Sequence, residues 1–244
     1  MRVFLKIEYD GTNYCGWQIQ PNGNTVQDEI AKAIERITGE KINLVGSGRT
    51  DAGVHALGQV AHFDTFSSIP PEKFKQALNT VLPADIKIAE SKRAKEDFHA
   101  RYSAKKKTYI YKLYQCDHTR PLKDRYAVRI GYDLDVEKMD EGAKYLVGEK
   151  DFRCFLASDS SVKDTVRTIY FAEVKKNGED IEVKITGNGF LYNMVRIIAG
   201  TLVKIGEGKL APEDMKKIIA SGNRDLAGTT MPPRGLLLYD VEYD

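Results

Sequence analysis

The first half of the chain reads strand, helix, strand, strand, helix, strand, and the second half repeats that order without repeating the sequence. In the opening run Val3, Leu5, Ile7 and Tyr9 fall on one face and Lys6 and Glu8 on the other, the period of two that marks a half-buried strand. Thr25 is placed to cap a helix striped by Val26, Ile30, Ala33, Ile34 and Ile37 and ended by Gly39. Strands follow around Asn43 to Ser47 and Gln59 to Phe63, then a helix from Pro71 to the stop at Pro83, then a strand at Ile86 and Ile88. The second half offers a strand through Tyr109, Tyr111 and Leu113 and a helix through Val136, Met139, Ala143 and Leu146. A strand pair over Val166 to Val174 and Ile181 to Ile185 comes next, then a long helix from Leu191 to Ile205, a shorter one from Pro212 and a last strand from Leu236 to Tyr243. Two such units predict an α+β chain of two tandem ferredoxin-like (βαββαβ) halves with largely antiparallel sheets. The boundary falls near Ala104, giving halves 1–104 and 105–244, and no Gly/Ser-rich linker separates them, so they are expected to pack rigidly.

Composition narrows the classes of function. With 244 residues, 42% of them hydrophobic, the chain can bury an ordinary core, and Lys+Arg 37 against Asp+Glu 35 is too balanced for a tail-driven polyanion binder. Cys15, Cys116 and Cys154 stand far apart and the four histidines do not cluster with them, which argues against a disulfide framework and against a zinc site. No apolar run approaches the roughly 18 residues of a membrane span. A cytoplasmic protein with no membrane partner is the expectation.

Three segments carry candidate chemistry. In Gly46-Ser47-Gly48-Arg49-Thr50-Asp51-Ala52-Gly53-Val54-His55, a cation and a carboxylate share one glycine-hinged loop between two strands. It fails as a dinucleotide fingerprint and as a P-loop; the plainest alternative is a hairpin whose Asp51 forms an Asx-turn. In Phe98-His99-Ala100-Arg101-Tyr102-Ser103-Ala104-Lys105-Lys106-Lys107-Thr108-Tyr109-Ile110-Tyr111, basic residues interleave with aromatics, as suits phosphate contact and base stacking, or a solvated edge running into a core strand. In Gly187-Asn188-Gly189-Phe190-Leu191-Tyr192-Asn193-Met194-Val195-Arg196, a turn precedes an apolar helix that carries Arg196 among Leu191, Val195, Ile197 and Ile198. A guanidinium there requires an anionic partner, either a structural carboxylate or Asp51 from the other half.

Together with Tyr9-Asp10-Gly11-Thr12-Asn13-Tyr14-Cys15-Gly16-Trp17-Gln18, Gly148-Glu149-Lys150-Asp151-Phe152-Arg153 and the terminal Arg234-Gly235-Leu236-Leu237-Leu238, these segments closely resemble, in order, the bacterial tRNA pseudouridine synthase A family. The resemblance implies isomerisation of uridine to pseudouridine at positions 38, 39 and 40 of the tRNA anticodon stem-loop, by a homodimer with no cofactor and no metal. It implies an active-site cleft between the halves. Asp51 is then the catalytic carboxylate, Arg49 the residue that fills the gap left by the flipped base, and Tyr109 the ring stacked on the uracil. Arg196 pairs with the aspartate and Leu236 borders the base. Arg101, Lys105, Lys106 and Lys107 complete the expected RNA-binding set, the three lysines standing where the family mixes Arg with Lys.

The chemistry of the residues is compatible with this. Breaking N1–C1′ and joining C5 to C1′ exchanges no electrons with an outside molecule. A carboxylate can attack C1′, attack C6 of the uracil, or assist glycal formation by removing a ribose proton. A base inside a stem or loop must leave its stack, and an aromatic face such as Tyr109 can receive it. A noncatalytic RNA-binding module is the main competitor, yet the RNP pattern is missing and a binder has no use for the Arg49/Asp51 loop. A glycoside hydrolase would need a second carboxylate paired with Asp51, and Glu8, Asp10 and Asp28 show no such pairing in the sequence.

Overall fold

Strand β1, Arg2–Tyr9, is the centre of the first unit because it is sealed on both faces. Val3, Leu5 and Ile7 are wholly buried, as alternation requires, but Phe4 on the opposite face is buried too. Its ring meets Phe98 at 5.7 Å and Tyr243 at 6.2 Å, and Lys6 on the same face pairs with Asp240 at 2.9 Å. The chain forms two compact units, Met1–Lys105 with Leu238–Asp244, and Lys106–Leu237. The computed structural model describes residues 1–157 and 162–243.

In the first unit β1 is followed by α1 (Val26–Thr38), β2 (Val45–Gly46), β3 (His55–Asp64), α2 (Phe74–Asn79) and β4 (Ile86–Arg93). β1 pairs antiparallel with both β3 and β4, and β2 pairs antiparallel with β3, so the order is β4-β1-β3 with β2 beside β3. The terminal strand β10 (Leu236–Glu242) lies on the far side of β3. Two local expectations are corrected. Thr25 stands at the N-cap of α1 but its side chain makes no capping bond. The first free N–H groups of that helix, on Val26 and Gln27, are instead taken by the carbonyls of Gly16 at 3.2 Å and Trp17 at 3.1 Å. The helix expected from Pro71 begins as a 3-10 turn over Pro71–Lys73 and ends early, because the Asn79 side chain pairs with both the N–H and the carbonyl of Ile88.

The second unit runs β5 (Lys106–Gln115), α3 (Pro121–Asp124), β6 (Val128–Ile130), α4 (Val136–Lys144), β7 (Gly148–Asp151), β8 (Val166–Asn177), β9 (Asp180–Gly187), α5 (Met194–Gly206) and α6 (Asp214–Ser221). The order β5-β9-β8-β7 is antiparallel throughout, and β6 runs parallel beside β5. The architecture is mixed α+β with largely antiparallel pairing. α5 is buried almost all round, with Ile197, Ile198, Leu202 and Ile205 inaccessible to solvent. It starts at Met194, three residues after the expected Leu191, because Asn193 before it takes the left-handed conformation at φ 60°.

Burial also sets a pH response. His62 on β3 is pushed down from 6.5 to about 4, first by burial and then by Arg2 and His99, against the pull of Asp64. The unfolded chain therefore takes up a proton near pH 6.5 that the folded one refuses, so this group lowers stability as pH falls from 6.5 towards 4. After solvent screening around Arg2 and Asp64 the loss is about 1–2 kcal/mol. The melting temperature is expected to fall over that window, and His62→Gln to flatten the fall; an unchanged profile contradicts the assignment.

Candidate active site

The loop that carries Asp51 is held by the segment at the start of the chain. β2 leads into it and β3 leaves it, so it is a hairpin connection, as the plainest reading has it. Its turn is closed by main chain: Val54 N–H donates to Asp51 O at 3.1 Å, and Gly53, at φ 75°, donates its N–H to Tyr14 O at 3.3 Å. Trp17 N–H donates to Thr50 O at 3.1 Å, and the Tyr9 hydroxyl meets Thr50 Oγ1 at 2.7 Å in the buried interior. Ser47 Oγ reaches Gln59 Oε1 at 2.7 Å, while Gln59 Nε2 donates to Gly48 O at 3.0 Å. His55, where β3 begins, accepts the Gly11 N–H through Nδ1 at 3.0 Å and lies 3.1 Å from Asp10.

Close approach explains the glycines. A Cβ on Gly16 would sit 2.5 Å from Thr50 O and 3.1 Å from the Asp51 carbonyl carbon, and one on Gly46 would sit 2.5 Å from the Trp17 indole nitrogen. One on Gly11 would overlap the Val54 carbonyl. The loop and the segment Tyr9–Gln18 are thus one packed body, with Asp51 half-buried at its surface and Arg49 exposed beside it. Sequence reasoning singled out both segments without foreseeing that one braces the other. The signal was present in Gly11 and Gly16, small residues where another backbone must pass.

The second unit holds Tyr109, Arg196 and Leu236. Tyr109, 8% exposed on β5, packs edge-on against Phe190 at 5.0 Å and 79°. This fixes the plane of the Tyr109 ring, a role for Phe190 that sequence spacing does not reveal. Arg196 in the first turn of α5 donates Nε–H to Met231 O at 2.7 Å and Nη1–H to Asn193 Oδ1 at 2.6 Å, so its guanidinium is aimed by the residue that opens its own helix. Tyr111, wholly buried, donates its hydroxyl to Pro232 O at 2.7 Å, and burial raises its pKa while Arg196 and Arg234 pull it back. Leu236 is buried at the start of β10.

The basic stretch divides between the units, Arg101 and Lys105 in the first, Lys106 and Lys107 in the second. Arg101, Lys105 and Lys106 are exposed and Lys107 is half-buried; Lys106 Nζ lies 5.8 Å from the Tyr170 ring centre.

One sequence expectation about metal ligands is corrected. Cys116 and His118 do come together, Sγ to Nδ1 at 3.5 Å, with Asp117 Oδ1 2.6 Å from the same nitrogen. Two residues of spacing in the turn after β5 bring them into reach. The His118 contact, then Cys116, holds the Asp117 carboxyl below its usual range. Among the described residues this exposed trio is the one group of three with metal-ligand spacing, and no helix is long and apolar enough to cross a membrane.

The whole chain has close relatives. A family model described as tRNA pseudouridine synthase matches residues 6–103 and 143–244. A protein of Caldicellulosiruptor bescii named tRNA pseudouridine synthase A is 52% identical over 241 residues, covering 99% of either chain. Relatives of the same name from Bacillus licheniformis and a Thermoanaerobacter species are each 48% identical, the first covering 100% of both chains and the second 99%. The family model takes in the braced loop and the Arg196 element but not residues 104–142, which hold Tyr109; the relatives extend over 99–100% of the chain, and the chain belongs to the bacterial tRNA pseudouridine synthase A family.

Proposed function

We propose that this chain isomerises uridine to pseudouridine at positions 38, 39 and 40 of the anticodon stem-loop of tRNA. Membership of the family over the full chain carries the reading, and the braced Asp51 loop supports it. Asp51 supplies the carboxylate for the bond chemistry and Arg49 fills the gap left by the flipped base. Tyr109, its plane set by Phe190, receives the uracil, Leu236 borders it, and Arg196 is the supporting cation. The reaction breaks N1–C1′, forms C5–C1′, releases the C5 proton and returns a proton to N1, so product and substrate have the same composition. No metal or cofactor takes part. Each unit is a ferredoxin-like fold in this reading, a view supported in the first by its β1-α1-β2-β3-α2-β4 order. The working form is a cytoplasmic homodimer.

The test is incubation with an unmodified tRNA transcript, digestion to nucleosides and mapping of the product. Pseudouridine confined to positions 38–40 is expected; free uracil, unchanged RNA or product elsewhere refutes the reading.

Phosphate contact is assigned to Arg101, Lys105, Lys106 and Lys107. Neutralising Lys105, Lys106 and Lys107 together is expected to weaken tRNA binding and flatten its salt dependence, by roughly 0.7 to 0.9 in logarithmic slope for each phosphate no longer neutralised. A filter-binding series from low to moderate salt measures it, and an unchanged slope moves the RNA surface elsewhere.

A further inference from the structure

Residues 98–103 build an aromatic stack that the bond chemistry does not use. His62 Nδ1 accepts the Ala100 N–H at 3.1 Å, and His99 Nδ1 accepts those of Arg101 and Tyr102 at 3.2 and 3.3 Å. Ser103 closes the turn in both directions, its Oγ receiving the His99 N–H at 3.0 Å and its own N–H donating to His99 O at 2.9 Å. A short surface loop thus has its main chain pinned by side chains. The rings step outwards from buried His62, which also meets half-buried Phe98 at 5.9 Å: His62 to His99 at 5.0 Å, and His99 to Tyr102 at 4.3 Å with 32° between planes. Tyr102, the last ring, is 78% exposed.

A large ring displayed on a rigid support needs little ordering when a flat partner lands on it. The surrounding charge selects that partner. The Arg101 guanidinium lies 5.8 Å from the Tyr102 ring centre, and the rest of the loop to the end of this segment of the first unit, from Phe98 to Lys105, adds the cation Lys105 and no carboxylate. Flat and anionic together describe a nucleic acid with an unpaired base. We propose that Tyr102 is a stacking platform for an unpaired base of the RNA substrate, with His99 and His62 as the positioning residues that hold it. The proposal rests on the tRNA-modifying function assigned above.

The experiment measures binding of an unmodified tRNA transcript and pseudouridine formation in parallel. Tyr102→Phe is expected to bind within about twofold of the parent chain, and Tyr102→Ala about tenfold or more weaker, the range of one missing base-aromatic stack. Because no cation is removed, the salt slope of Tyr102→Ala stays that of the parent, whereas Arg101→Gln lowers it. In Tyr102→Trp the introduced indole is expected to be quenched when tRNA binds, and adding His99→Ala to abolish the quenching with an unchanged circular dichroism spectrum. Tyr102→Ala binding as tightly as the parent, tRNA binding without indole quenching, or quenching that survives His99→Ala overturns the proposal. Should the parent bind tRNA but form no pseudouridine, the enzymatic reading fails while the binding comparison still decides the platform; a parent that binds no tRNA refutes both.

Discussion

Asp51→Asn protein is expected to fold, to bind tRNA within a few-fold of the parent chain and to form no pseudouridine, even in a single turnover with enzyme in excess. The expectation comes from how the loop is built. Its turn is closed by the Asp51 carbonyl and the Val54 N–H, and its flanks by Thr50, Tyr14 and Trp17, so an isosteric change of the side chain leaves these main-chain bonds in place. Asparagine cannot act as an anionic nucleophile or base, so the rate should fall by at least about 10⁴-fold. Two variants locate the loss on chemistry. Tyr109→Phe keeps the ring that Phe190 orients and should lose less activity than Tyr109→Ala. Mass spectrometry of the Asn variant excludes deamidation back to Asp, and product from the intact variant would remove Asp51 from the mechanism.

Gly16→Ala is expected to have the next largest effect on turnover, although its contacts are with the backbone of the Asp51 loop. Its φ of 91° disfavours a side chain, and the new Cβ would sit 2.5 Å from Thr50 O. Relief requires Thr50 to move, which strains the Trp17 N–H bond and the Tyr9 contact that hold the residue next to Asp51. Displacement of a reacting group by about 1 Å costs on the order of 10²-fold in rate, and the backbone strain itself costs about 1–3 kcal/mol of stability. Turnover number should therefore fall far more than tRNA affinity, with a lowered melting temperature. A variant with the parent's turnover number would show that the bracing is not needed.

The sequence was most legible where structure is local. Alternation placed β1, helical spacing placed α1, α4 and α5 to within a few residues, and a glycine-hinged Arg49/Asp51 pair marked the candidate loop. Long-range contacts were hidden. The N-terminus of α1 is satisfied by the carbonyls of Gly16 and Trp17 rather than by Thr25, and no spacing rule reports a cap supplied by another segment's main chain. α3 and β6, four and three residues long, are too short to show a period. The second face of β1 is covered by Phe98 and Tyr243, so alternation alone underestimated its burial. At the site, residue types were readable but not their supports, since Phe190 and Tyr109 meet only through the pairing of β5 with β9 and the turn that follows it.

The isomerisation itself can be followed at one atom. When C5 of the uracil joins C1′, the hydrogen on C5 must leave, whichever of the three routes the carboxylate takes. A tRNA transcript carrying tritium at C5 of its uridines, incubated with the parent chain, is predicted to release tritium to water in step with pseudouridine formed, with no free uracil and none of this with Asp51→Asn. Tritium retained on the RNA, or recovered in free uracil, would contradict the account.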